Sequence, residues 1–118
     1  MGIQSWSEDV ILVDLAPELR DHAELRTVID TVRGKGDCDV VVDFSNVDIV
    51  GSPTFSRLLE LRKSLQECGR KLVLCGVAPP VKSVFTIARL DEAFEFVEDR
   101  FAALARVQMM TQANGTGL

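Results

Sequence analysis

Gly51, Ser52 and Pro53 are the residues of this 118-residue chain with the clearest chemical potential, because they turn from an apolar run into a helix-forming segment. A hydroxyl at a helix amino terminus has two uses. The ordinary one is capping: a Ser at the N-cap accepts from an orphan backbone N–H, and a Pro just inside the helix has no N–H to leave unpaired. The chemical one is phosphoryl acceptance, since free N–H groups and the positive end of the helix dipole tolerate an added phosphate. Thr54 and Ser56 are further hydroxyls in the same stretch and weaker candidates for the same modification.

Little else in the sequence offers chemistry. There is one His, His22, among charged neighbours near the start of a helical segment, and it reads as a solvated side chain. No GxGxxG or GxxxxGK[ST] motif occurs, and no His, Cys and carboxylate residues fall at metal-ligand spacing. No Ser-His-Asp set can be nominated. The expectation is a protein without catalytic residues, cofactor or metal. Cys38, Cys68 and Cys75 are odd in number and match neither a zinc knuckle nor a CxxC pair, so they read as small buried hydrophobes in a reducing compartment. The net charge of −5 and an isoelectric point near 4.8 argue against nucleic acid as a partner. The start MGIQSWSEDV lacks the basic and apolar regions of a signal peptide, and Trp6 stands where a myristoylation motif wants Ser or Thr. No apolar run reaches the roughly 18 residues of a membrane span. These features point to the cytoplasm, with no membrane insertion.

The elements that must position Ser52 follow from the hydrophobic period. Val10-Ile11-Leu12-Val13 reads as a strand covered on both faces, and residues 3–7 can pair beside it as an edge strand. Leu25, Val28, Ile29 and Val32 fall at i, i+3, i+4 and i+7, a helix ending near Gly34 and Gly36. Val40-Val41-Val42 with Phe44 makes the next strand. Phe55, Leu58, Leu59 and Leu65 give the second helix its apolar stripe, and Gly69 is placed as its C′ residue. Leu72-Val73-Leu74-Cys75 is a further strand. Pro79-Pro80 opens a helix carrying Val81, Val84, Phe85 and Ala88. Phe94, Phe96 and Val97 make a last short strand, and Phe101, Leu104 and Ala105 mark a terminal helix. This alternation predicts one α/β domain over residues 1–108, with a mixed, mostly parallel sheet of four to five strands and about four helices. Residues 109–118, ending NGTGL, read as a disordered tail. In such sheets ligands and partners are met beyond the carboxyl ends of the strands, the edge at which Ser52 is expected.

The stretch from Val40 into the terminal helix, VVVDFSNVDIVGSPTFSRLLELRKSLQECGRKLVLCGVAPPVKSVFTIARLDEAFEFVED, resembles the STAS domain of anti-sigma factor antagonists. Asp43 matches the Asp that ends the family's strand, Ser52 the first Ser of its Asp-Ser-Ser/Thr-Gly motif, Gly69 the Gly after the helix, and Val73-Leu74 the next strand. Residues before about 35 match only in layout. The resemblance implies phosphorylation of Ser52 by a partner that is both anti-sigma factor and Ser/Thr kinase. The unphosphorylated form binds that partner and the phosphorylated form lets go. Because the loops at Gly51 and Gly76 both leave the carboxyl ends of parallel strands and so lie side by side, the partner surface is expected at Gly51, Ser52, Pro53, Thr54 and Arg57 with the strand-end residues Gly76 and Val77. Gly51 stands where the motif has Asp, Pro53 where it has Ser or Thr, and Thr54 where it has Gly. Two alternatives accompany this reading. One is an unphosphorylated STAS scaffold subunit of a sensor or lipid-transport ABC complex. The other is a flavodoxin-like nucleotide binder, which would need a phosphate cradle beyond Gly51-Ser52.

Overall fold

The computed structural model describes residues 2–7, 9–15, 24–36, 38–48 and 50–115, with side chains to Val107. Along the chain the elements are β1 (Gly2–Ser7), β2 (Val10–Asp14), α1 (Glu24–Lys35), β3 (Asp39–Asp43), α2 (Ser52–Glu67), β4 (Leu72–Cys75), α3 (Pro79–Ile87), β5 (Glu95–Val97) and α4 (Arg100–Gly115). The strands lie in sequence order, β1 antiparallel at one edge and β2 to β5 parallel. A right-handed crossover that always steps the same way along a sheet leaves its helices on one face. Accordingly α1, α2 and α3 share a face, and α4 alone covers the other.

Alternation along the strands feeds both layers. Ile11, Val13, Val40, Val42 and Leu74 point toward α1, α2 and α3 and join Leu25, Val28, Leu58, Leu61, Val81 and Phe85 in one cluster. Val10, Leu12, Val41, Val73 and Cys75 point the other way, onto Ala103, Leu104 and Val107 of α4. Phe85 is the aromatic hub of the larger cluster. Phe44, Phe55, Phe94 and Phe96 stand edge-on to it at centroid distances of 6.0, 4.9, 5.9 and 5.2 Å, the geometry that aromatic quadrupoles favour.

The sheet, its edge strand and the stripe of α1 agree with the sequence pattern. Gly69 sits beyond α2 with φ of +71°, and the Gly69 and Arg70 N–H groups donate to the Gln66 and Leu65 carbonyls, as a C′ glycine should.

Four readings are corrected. The buried face of α2 consists of Thr54, Leu58, Leu61, Ser64 and Leu65, while Leu59 is 38% exposed and Phe55 half-buried. Two small polar residues on the inner face and a Leu on the outer one disguise this register. On α4, Ala103, Leu104 and Val107 face the sheet, and Phe101 and Ala105 face out. Helical backbone also continues to Gly115, well past Met109, where the sequence suggests a disordered tail. Met, Gln and Ala propagate a helix without needing an apolar stripe. Finally, Cys38 and Cys75 are buried but Cys68, at the carboxyl end of α2, is exposed. His22 lies outside the described residues.

Two outcomes follow. Leu58→Ala or Leu61→Ala should each destabilise the protein by about 2–5 kcal/mol, and Leu59→Ala by less than about 1 kcal/mol, read from denaturant midpoints. A thiol-specific disulfide reagent at neutral pH should label Cys68 rapidly and Cys38 and Cys75 only on unfolding. Cys68→Ser should then abolish the fast phase.

Candidate functional site

At the carboxyl edge of the sheet, β3 ends at Asp43 and the chain must travel back to begin α2. Phe44, Val47 and Val50 are all buried, so three apolar residues at i, i+3 and i+6 pin this connection to the core. Gly51 is the N-cap of α2, with extended φ and ψ of −110° and 174°, and its carbonyl accepts from the Thr54 and Phe55 N–H groups. The first turn thus closes one residue earlier than a Ser52 N-cap would place it. No side-chain capping bond is made here. Ser52 is instead the first helical residue, exposed to solvent, with Pro53 exposed beside it.

Thr54, one of the weaker candidate acceptors and part of the expected partner surface, is fully buried in the core face of α2. A kinase cannot reach it in the folded protein. Ser56 is exposed and lines a groove of about 380 Å³ between α1 and α2. Arg57 is half-buried in that same groove rather than standing on the rim of the strand edge, with Arg26 and Arg33 of α1 opposite. Across the groove Arg33 pairs with Glu60 at 3.0 Å, an exposed contact worth little to stability.

Beside the start of α2 lies a polar cluster centred on Asp43. Its carboxylate is almost wholly buried and accepts from the Ser45 N–H at 2.8 Å and from the Ser45 hydroxyl. Arg100, the first residue of α4, donates to it through Nε at 2.8 Å and Nη2 at 2.7 Å, and reaches Asp14 at 3.4 Å. Asp14 and Asp43 are register partners at the ends of β2 and β3, so the cation bridges two adjacent carboxylates. Burial pushes the Asp43 carboxyl up. The bonds from Ser45 and Arg100 outweigh it and hold the group below the usual carboxylate range. Cys75, next to it, has its thiol pushed up to about 12, by burial first and by the Asp43 charge second. It is therefore an inert core thiol.

Gly76, an expected partner residue, closes the cluster. Its φ is +67°, and a Cβ there would lie 2.4 Å from the Ser45 Oγ and 3.0 Å from an Asp43 oxygen. The strand end after β4 thus abuts the loop after β3, and Val77 packs on the same core as Val47 and Val50. The structure therefore brings Gly51, Ser52, Pro53, Gly76 and Val77 to one edge. It withdraws Thr54 into the core and turns Arg57 into the α1–α2 groove. Asp14, Ser45 and Arg100 are additions. Two apolar strands each ending in Asp are the sequence signal that a cation must arrive, but nothing local marks Arg100 as that cation.

Among the described residues no group of three or more His, Cys, Asp or Glu is placed to hold a metal. The role of Asp43 is structural, and it carries a sign. A carboxyl whose pKa is lower in the folded state stabilises the fold above its ordinary titration range, and that stability is lost as pH falls through the folded value. Asp43→Asn should cost roughly 1–3 kcal/mol near neutral pH. The gap to the wild type, followed by denaturant unfolding, should narrow below about pH 4 as the wild-type carboxyl protonates.

Comparison with known proteins agrees with the fold. The model of the STAS domain family matches residues 14–103. Over 84 residues the chain is 34% identical to BtrV of Bordetella bronchiseptica, described as an anti-sigma factor antagonist, covering 71% of this chain and 69% of that one. Among solved structures, RsbS of Moorella thermoacetica superposes with a TM-score of 0.81 at 18% identity, covering 93% of this chain and 96% of that one. The Bacillus protein SpoIIAA has been solved unphosphorylated and phosphorylated. The two forms superpose with TM-scores of 0.72 and 0.67 at 16% identity, covering 90% and 89% of this chain and 96% of SpoIIAA in each case. With most of its length matched by the family model and a relative above 30% identity, this chain belongs to the STAS domain family of anti-sigma factor antagonists.

Proposed function

We propose that this protein is the switchable member of a partner-switching regulatory pair. In its unphosphorylated form it binds an anti-sigma factor that is also a Ser/Thr kinase. Phosphorylation of Ser52 releases it. The observation that carries the reading is that Ser52 is solvent-exposed at the first turn of α2, while Gly51 supplies the N-cap. Its hydroxyl has no capping role to surrender. In the transfer the Ser52 Oγ forms a bond to the γ-phosphorus of ATP as the bond to the β-phosphate oxygen breaks. ADP leaves, and the hydroxyl proton passes to a base on the kinase. The product carries about −1.5 to −2 charges at pH 7.

That charge reverses binding for two reasons. In an interface it must be desolvated, and the protein around it is already acidic overall, with a net charge of −5. Exposed Pro53 and the half-buried strand end at Gly76 and Val77 would form the rest of the contact. The protein would act as a binding module without catalysis of its own, in the cytoplasm where sigma factors work. Among the described residues no helix is long and apolar enough to cross a membrane.

A second reading is favoured by the residues around Ser52. Gly51 replaces the motif's Asp and so removes a carboxylate that would orient the hydroxyl, and Pro53 stiffens the turn and lacks an N–H. A constitutive scaffold with the same docking edge would tolerate both. Binding of Ser52 variants to the purified kinase-like partner separates the two. Under the switch reading, Ser52→Asp and Ser52→Glu should weaken the complex about tenfold or more, and incubation with the partner and Mg-ATP should add one phosphate at Ser52 by mass spectrometry. Ser52→Ala should bind as the wild type does. Because the Ser52 side chain makes no cap, that variant should also lose less than about 0.5 kcal/mol of stability. Equal binding by the Asp and Ala variants, with no phosphate added, would leave the scaffold reading.

A further inference from the structure

The opposite edge of the sheet, where the parallel strands begin, holds a cavity of about 440 Å³ that the switching function does not use. It is enclosed by the second half of α2, the approach to β4, the turn before β5, and α4. Its lining includes the apolar residues Leu65, Leu72, Ala93 and Phe94. Its walls carry four cations, Arg62, Arg70, Lys71 and Arg106, against two carboxylates, Glu92 and Glu95. A surplus of positive charge concentrated in one hollow is unusual on a chain whose net charge is −5.

Internal pairing does not explain these cations. Arg70 is held by Asp39 at 2.9 Å, and Arg106 pairs with Glu95. Arg62 and Lys71 form no ion pair among the described residues. The Arg70 Nε–H is buried and lacks an acceptor among the described residues, although Nη2 is bonded. The carboxyl end of a helix draws cations by its dipole, which accounts for one near the end of α2 but not for Lys71 before β4 or Arg106 on α4. Asp39 also accepts from the Lys71 backbone N–H at 2.8 Å, so the main chain that carries Lys71 is fixed at the mouth of the cavity.

We propose that this cavity binds a small organic phosphate. The dianion would be held between Arg62 and Lys71, with the buried Arg70 Nε–H within the same wall, and the apolar body would rest on Leu65, Leu72 and Phe94. Guanidinium and ammonium groups match phosphate oxygens in charge and geometry, and a volume of this order suits a small ligand. The site is separated by the length of α2 from Ser52 and does not depend on its phosphorylation.

Titration with phenyl phosphate, phenol and inorganic phosphate, followed by amide chemical shifts of the labelled full chain, tests this. Phenyl phosphate should give saturable shifts at residues 71–73 and 93–95. Phenol should give none there, and inorganic phosphate should bind more weakly at the same amides. The double variant Arg62→Ala/Lys71→Ala should weaken phenyl phosphate about tenfold or more, consistent with losing charge-assisted bonds. Lys63→Ala, which removes one positive charge from the exposed side of α2, should not. Shifts scattered over the surface, equal binding of phenol, an unchanged affinity in the double variant, or an equal loss in Lys63→Ala would each overturn the proposal. Unaltered circular dichroism of both variants keeps a folding defect from imitating the loss.

Discussion

Asp43 is a charge that the chain buries at the end of its central strand, and much of the carboxyl edge is arranged to satisfy it. An ionised carboxylate out of water is costly unless donors surround it. Here Ser45 supplies two of them from the chain just beyond β3, and Arg100 supplies the charge-assisted ones from the start of α4. The same contacts fix the loop that delivers Ser52, hold α4 against the second face of the sheet, and leave room after β4 only for a glycine. Removing the carboxylate would release these elements together.

The two faces of the sheet are covered unequally. Three helices and the aromatic hub at Phe85 make a thick layer on one side, while α4 makes a thin one on the other. Well-packed cores transmit strain rather than absorb it. A partner docking at the carboxyl edge would therefore meet a preformed surface, which limits the entropy lost on binding. The amino edge gathers its cations from α2, α4 and the approach to β4, whose ends meet only because the crossovers return each helix to where the next strand begins.

Under the proposed switch, the placement of Ser52 would let a helix start serve regulation without sacrificing stability. When a Ser provides the cap, modifying it removes a bond that the fold uses. With Gly51 at the cap, the hydroxyl is presented to solvent and the helix is held by backbone bonds from Thr54 and Phe55. Under the proposed switch, binding would then respond to the charge state of one side chain while the fold stays in place.

What the sequence by itself determines is whatever depends on local period and local turn chemistry. The β-branched runs at Val10–Val13 and Val40–Val42 can only be strands covered on both sides. The stripe of α1, the Gly-Ser-Pro turn into α2 and Gly69 beyond it follow from spacing and backbone permissiveness alone. The tertiary structure decides whatever depends on which face meets which neighbour. The inner face of α2 uses Thr54 and Ser64, small enough to pack closely but polar enough to hide the register, so Leu59 is left outside and Arg57 turned toward α1. Arg100 becomes the partner of Asp43 although 57 positions separate them in sequence, because only the folded sheet brings the end of β3 to the start of α4. The exposed Cys68 reflects the same distinction: residue type favours burial, but a helix end at the surface places the thiol in water.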